Sequence, residues 1–330
     1  MINSFGADFV GCLGYAKKKK EFLKMGNIKY VLMAIAICLS VFSSCLLRSF
    51  SDKKLTENSG DLFLFNAALS VVWTIVLGIW FLVSGESGAS HTAYIFGAAY
   101  GVIMCAFLFT KTCLLGEGPV SLTTLIGSCA FIIATWFGVI YANEPSINLV
   151  QYIGMALLVV SLILCINPKK SGEKLTAKWF AYAFAFFIAG GFLGIINKMF
   201  GKSSASTEVN AMMLTASVVT AILFALVGIL FNKACGKSMP KIRKGAWVYI
   251  LVCGVASCLY QRLNVSLAKE ILSVIFFPVS NGSMVLLSTL MGRLIFKENL
   301  RPMQIFGIII GLIAIIMIGC SSLIYGLFGM

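Results

Sequence analysis

The sequence predicts an all-α membrane protein whose ten transmembrane helices form two inverted five-helix repeats. Three observations carry this. Ten apolar stretches are each long enough to cross a bilayer, which takes about 20 residues. Short connections between them hold most of the charge: 59% of residues are hydrophobic, 12% are charged, and the mean hydropathy is +0.96. The second half of the chain also restates landmarks of the first at a nearly constant offset.

The expected spans are 30–47, 61–83, 91–115, 118–140, 148–166, 179–198, 208–231, 246–267, 271–296 and 302–324. Lipid offers backbone polar groups no partner, so each must be a helix. A membrane barrel would alternate apolar and polar residues, and Leu157-Leu158-Val159-Val160 or Ile308-Ile309-Ile310 do not. The loops are too short for a folded soluble domain, which places any function inside the bundle. Residues 1–29 form a basic tail in which Lys17 to Lys20 precede the first span. That arrangement resembles a signal peptide, but no small-residue cleavage site follows Leu47, so the first span is expected to be retained. Met25 would serve equally well as the start. Segments 30–166 and 178–324 are the expected repeats.

Composition argues against several function classes. The net charge of +14 is spread over many loops rather than gathered on one face, which suits topology and anionic lipid headgroups rather than nucleic acid. Nine of eleven cysteines lie within spans, none forms a Cys-x-x-Cys pair, and His91 is the single histidine. Zinc spacing, Cys/His nucleophiles and Ser-His-Asp sets are therefore lacking, as is a phosphate-binding Gly-x-x-x-x-Gly-Lys-Ser/Thr loop. The sequence thus predicts no enzyme, no cofactor and no metal.

The internal repeat shows in ordered pairs. Gly138 and Glu144 at the end of span 4 have the spacing of Gly292 and Glu298 at the end of span 9. Gln151 and Gly154 open span 5 as Gln304 and Gly307 open span 10. Lys29-Tyr30 corresponds to Lys178-Trp179, and Asn66-Ala67 to Asn210-Ala211. Five crossings are an odd number, so a second copy enters from the opposite side and the repeats are inverted. Alternating-access transporters bind substrate near the midplane of such an arrangement.

The Gly…Glu…Gln-x-x-Gly series in both halves resembles the signature of EamA-type members of the drug/metabolite transporter superfamily. The match covers about residues 30–324. Ala142-Asn143 and Phe296-Lys297 stand where the family often has Gly before Glu. The resemblance implies a ten-helix basket with spans 1, 3, 4, 6, 8 and 9 lining a cavity and spans 5 and 10 outside it. It implies a small-molecule substrate without naming one, because the superfamily handles amino acids, sugars, nucleotide sugars, phosphates and drugs. A multi-pass integral protein of the plasma (inner) membrane is expected.

Orientation is read two ways. Loops after odd-numbered spans carry fourteen Lys and Arg, and the opposite side carries nine, among them Lys198. The positive-inside rule then puts both termini outside, whereas the resemblance implies cytoplasmic termini.

Candidate substrate contacts come from polar residues within spans. No acidic residue lies mid-span, which argues against proton-coupled exchange of cationic drugs. Lys111, Arg262 and Arg293 do enter the spans; snorkelling would account for Lys111 and Arg293. Arg262 belongs to a cluster with Tyr260, Gln261 and Asn264, and the repeat sets Lys111 opposite Asn264. One cation per half favours an anionic or zwitterionic substrate. In span 9, Pro278 and Gly282 are expected to kink and loosen the helix, freeing carbonyls near Ser280, Asn281 and Ser283. Thr124 and Ser128 of span 4 are their counterparts. Gly97-x-x-x-Gly101 and Gly307-x-x-x-Gly311 allow close helix approach, the latter within the chain or across a homodimer. A secondary transporter is the leading reading. A sensor or assembly protein would have its cavity plugged by large apolar side chains, and a lipid-carrier flippase would need a lateral opening.

Overall fold

The computed structural model describes residues 28–47, 49, 59–84, 89–117, 120–141, 144–165, 177–234, 245–296 and 301–321. The basic tail before Ile28, Glu298 and the connection between the two expected repeats lie outside the described residues, as does the side chain of Thr124.

Among the described residues all regular structure is helical. The helices are α1 (Ile28–Leu47), α2 (Ser59–Ser84), α3 (His91–Glu117), α4 (Val120–Cys129), α5 (Phe131–Ile140), α6 (Leu149–Cys165), α7 (Ala177–Lys202), α8 (Val209–Ala234), α9 (Ala246–Glu270), α10 (Ser273–Phe296) and α11 (Pro302–Gly319). Eight of them are long and apolar enough to cross a membrane, while α4–α5 and α6 are shorter apolar pieces. Large apolar side chains such as Leu82 (80% exposed) and Val83 (81%) point outward. Such a surface is stable only in lipid, and the protein is a multi-pass integral membrane protein.

Two local features differ from expectation. Span 4 is interrupted at Ala130, which parts α4 from α5 although its backbone stays near helical values (φ −57, ψ −18). Span 9, expected to open at Pro278, is instead the unbroken helix α10. The reason lies in position. Pro278 is in the second turn, so its missing N–H costs only the bond to Val274, whose carbonyl is in the first turn. Gly282 does not open the helix either. It faces α6, where a Cβ would come within 2.7 Å of Leu158.

Three antiparallel helix pairs, α2 with α8, α5 with α10, and α6 with α11, stand beside the contacts of α3 with α8 and α7 and of α5 with α7. In the first, Thr74 bonds Ser217 (3.0 Å) and Asn210 bonds Ser84 (3.4 Å), so opposite ends meet. In the third, a Cβ on Gly154 would crowd Ala314, Met317 and Ile318; one on Gly307 would crowd Ser161, Leu164 and Cys165. Each trio lies 153 positions from the other, as do the two glycines. Ser161 Oγ adds a hydrogen bond to the Gly307 carbonyl at 2.7 Å. Gly311 also faces Ser161, so the small-residue stripe of α11 packs against α6 within the chain. Gly97 and Gly101 of α3 are likewise spent on α8, against the carbonyls of Met212 and Ala216.

The Gln-x-x-Gly motifs have a physical account. Gln151 Oε1 accepts the Asn148 N–H at 3.0 Å, and Gln304 Oε1 accepts the Arg301 N–H at 3.0 Å. Each satisfies a backbone donor at the start of its helix. The amide nitrogens then reach across the seam, Gln151 to Ser321 Oγ and Gln304 to the Cys165 carbonyl, both at 3.0 Å. One side chain caps a helix and ties it to its partner.

Candidate functional site

Four helices converge on a polar column in the interior. Residues on the inward faces of α3, α7 and α9 form most of it, with α1 at the side. Asn264 Nδ2 donates to Tyr260 Oη at 3.1 Å, and Asn197 Nδ2 donates to Asn264 Oδ1 at 3.4 Å. Tyr100 lies beside Asn197, and Tyr260 lies beside Ser40. Gln261 points its amide at Met104 Sδ (3.9 Å); outside the column, Trp73 Nε1 of α2 donates to Ser257 Oγ at 2.9 Å. Gln261 and Asn264 sit three residues apart on one face of α9, which is why both reach the column. Asn197 is 3% exposed, and its Oδ1 has no hydrogen-bond partner. Leaving a buried acceptor unmatched costs about 1–3 kcal/mol.

Arg262 stands apart from that set. Two residues on a helix are about 160° apart, which turns Arg262 away from Asn264 towards α2 and α8. There Nε donates to Asn210 Oδ1 at 2.8 Å, and the guanidinium lies 4.0 Å from the Trp80 ring centroid. It stitches three helices together on the side of α9 opposite the column.

A buried ion pair closes the bundle near the α9–α10 junction. Lys198 Nζ donates to Glu144 Oε1 at 2.6 Å and to the Ile271 carbonyl at 2.7 Å. Glu144 Oε2 accepts the Ser273 N–H at 2.7 Å, which caps α10. The two side chains are 4% and 9% exposed. Gly138 leaves room for this corner: a Cβ there would collide with Ser273 and stand 3.1 Å from Glu144 Oε2. Lys198 thus belongs to the interior rather than to a loop, and it leaves the tally of flanking charge. The same end is tied by Ser90, whose N–H and Oγ both donate to Glu208 (2.8 and 2.7 Å), and by Lys269 on the Ser206 carbonyl (3.0 Å).

Lys111 lies nearer the other end of α3, on the stripe that includes Met104, Phe107 and Leu114. Phe107 stacks on Phe186 of α7 with centroids 4.5 Å apart. Glycines flank the rings: a Cβ on Gly127 would come within 2.8 Å of Phe186, and one on Gly190 within 3.2 Å of Phe107. Gly191 and Gly194 do the same for Ile133, Ala134 and Phe277, so the glycines of α7 serve close packing.

The remaining candidates fall on α4 and α10. Ser128 and Ser280 are buried (8% and 4% exposed), and Ser283 is half-buried. Asn281 Nδ2 bonds the Phe277 carbonyl of its own helix at 2.9 Å. Gly292 is buried near the end of α10. The structure therefore groups Gln261 and Asn264 with Tyr100 and Asn197, while Arg262 and Asn281 are engaged elsewhere. Tyr100 was not singled out from sequence. A tyrosine one turn before Met104 on the inward stripe of α3 was the available signal.

No protein-family model matches the chain, and no curated protein matches it. The chain is similar to a crystal structure of a protein, with a TM-score of 0.69 and 12% identity, covering 88% of this chain and 96% of that one. At that identity the likeness is one of fold.

Proposed function

We propose that the protein is a secondary transporter of a small polar metabolite, working by alternating access between two inverted five-helix repeats. The observation that carries this is the column Tyr100–Asn197–Asn264–Tyr260, with its unmatched Asn197 acceptor, at the junction of helices from both halves. A purely structural bundle gains little by burying so many polar groups in lipid. The reciprocal contacts of Gly154 and Gly307 support the inverted-repeat reading, as do the three antiparallel pairs that join corresponding spans. On this reading the chain is an EamA-type carrier of the drug/metabolite superfamily in the plasma (inner) membrane.

The test is uptake into liposomes by the purified full chain, screened over a metabolite panel. Saturable uptake should be lost in Asn264→Ala and in Asn197→Ala. Undiminished uptake in both would remove the column from the pathway.

A second reading has a specific observation behind it. Phe107, Phe186 and Phe277 fill space between α3, α5, α7 and α10 with aromatic rings, as a sensor or assembly protein that had given up transport would. Absence of saturable uptake for every compound, with the protein folded, would favour it.

A further inference from the structure

Lys111 is a half-buried cationic side chain on α3, within the membrane bundle. Among the described residues no ion-pair or hydrogen-bond partner meets it. Its helix explains where it points. The lipid face of α3 is marked by Ile95, Ala99, Val102 and Ala106, all exposed. At 100° per residue, Lys111 lies roughly 140° from Ala106. It shares its stripe with Phe107, which stacks on Phe186, and Leu114, which is 0% exposed. Lys111 is therefore half-buried on the inward-facing side of α3 rather than on its lipid-facing side.

The position has a further property. Lys111 is about 16 Å along α3 from Tyr100, with the Phe107–Phe186 stack between them. It is separated from Asn264 by 153 positions, the offset that relates Gly154 to Gly307. One half of the interior offers a neutral amide at this place and the other offers an ammonium. An uncompensated cation in such surroundings is costly, and such residues characteristically mark substrate pathways.

We propose that Lys111 binds the anionic group, a carboxylate or phosphate, of the solute that the protein carries, on the side of the aromatic stack away from Tyr100. This rests on the transport reading and narrows its substrate to oxyanion-bearing compounds. A lipid headgroup offers the same chemistry, so the experiment must tell the two apart.

The experiment measures thermal stabilisation of the purified full chain in detergent with phosphatidylcholine. Sodium phosphate and sodium succinate are titrated against sodium chloride at matched ionic strength. A parallel arm adds phosphatidylglycerol vesicles instead. The expected result is saturable stabilisation by at least one soluble anion, weakened about tenfold or more in Lys111→Gln and kept in Lys111→Arg. Without anions, Lys111→Met should melt higher than the native chain, because it removes an unmatched charge. The inference is overturned if Lys111→Gln responds as the native chain does, if neither soluble anion acts, or if only phosphatidylglycerol stabilises. It is also overturned if Lys111→Met melts lower. Asn264→Ala is measured alongside. Loss of the response there but not in Lys111→Gln sinks the Lys111 assignment and leaves the transport reading standing, whereas an unchanged response in both sinks the two together.

Discussion

Replacing Lys198 by Met breaks the most enclosed ionic contact among the described residues. Glu144 would keep its bond from the Ser273 N–H but lose the ammonium at 2.6 Å, in a place where its side chain is 9% exposed. Stranding one member of a buried pair costs about 3–5 kcal/mol. At roughly 2 °C per kcal/mol for a chain of this size, the melting temperature should fall by about 6–10 °C. Glu144→Gln should do the same from the other side, because Lys198 then keeps only the Ile271 carbonyl at 2.7 Å. The combination Lys198→Met with Glu144→Gln removes both charges and leaves an amide oxygen for Ser273. It should melt above either single substitution, recovering at least half of the loss that each causes. Differential scanning fluorimetry of the four proteins in one detergent reads this directly. Single substitutions that each shift melting by less than about 2 °C, or losses that simply add, would show that the pair is not the clasp its geometry suggests.

Other substitutions separate packing from solute contact. Gly307→Leu should destabilise α11 against α6 by more than the about 1–3 kcal/mol typical of overpacking, since even a Cβ lies 2.9 Å from Leu164; Gly154→Leu should match it. Arg262→Ala should lower the melting temperature through loss of the Asn210 bond and the Trp80 stack, about 2–3 kcal/mol together. Any solute Kd measured by stabilisation should stay unchanged. Asn281→Ala removes only a bond within α10, so uptake should persist with a stability cost near 1 kcal/mol.

The sequence made the helices legible because lipid imposes one rule on every span, and all ten apolar runs coincide with helical segments. Gly154 and Gly307 are needed because each admits the backbone or side chains of the other's helix, α11 and α6. What escaped was anything decided by distant partners. Lys198 read as a helix-end charge because Glu144 stands 54 positions earlier, and only the fold brings them to 2.6 Å. Arg262 read with its neighbours Gln261 and Asn264, although helical arithmetic turns it away from both. The break expected at Pro278 did not occur: α10 runs on through it from Ser273 to Phe296. The interruption fell instead at Ala130, for which no local signal exists.

Between α9 and α10 the chain allows only Ile271 and Leu272. The Ile271 carbonyl is gripped by Lys198, and the next helix begins on Glu144 one residue past Leu272. So short a tether has no slack. The foot of α9 cannot slide without dragging the head of α10 along, and both are moored to the exit of α5 and the tail of α7. That corner, where the ends of α5, α7, α9 and the start of α10 meet, therefore behaves as one rigid elbow.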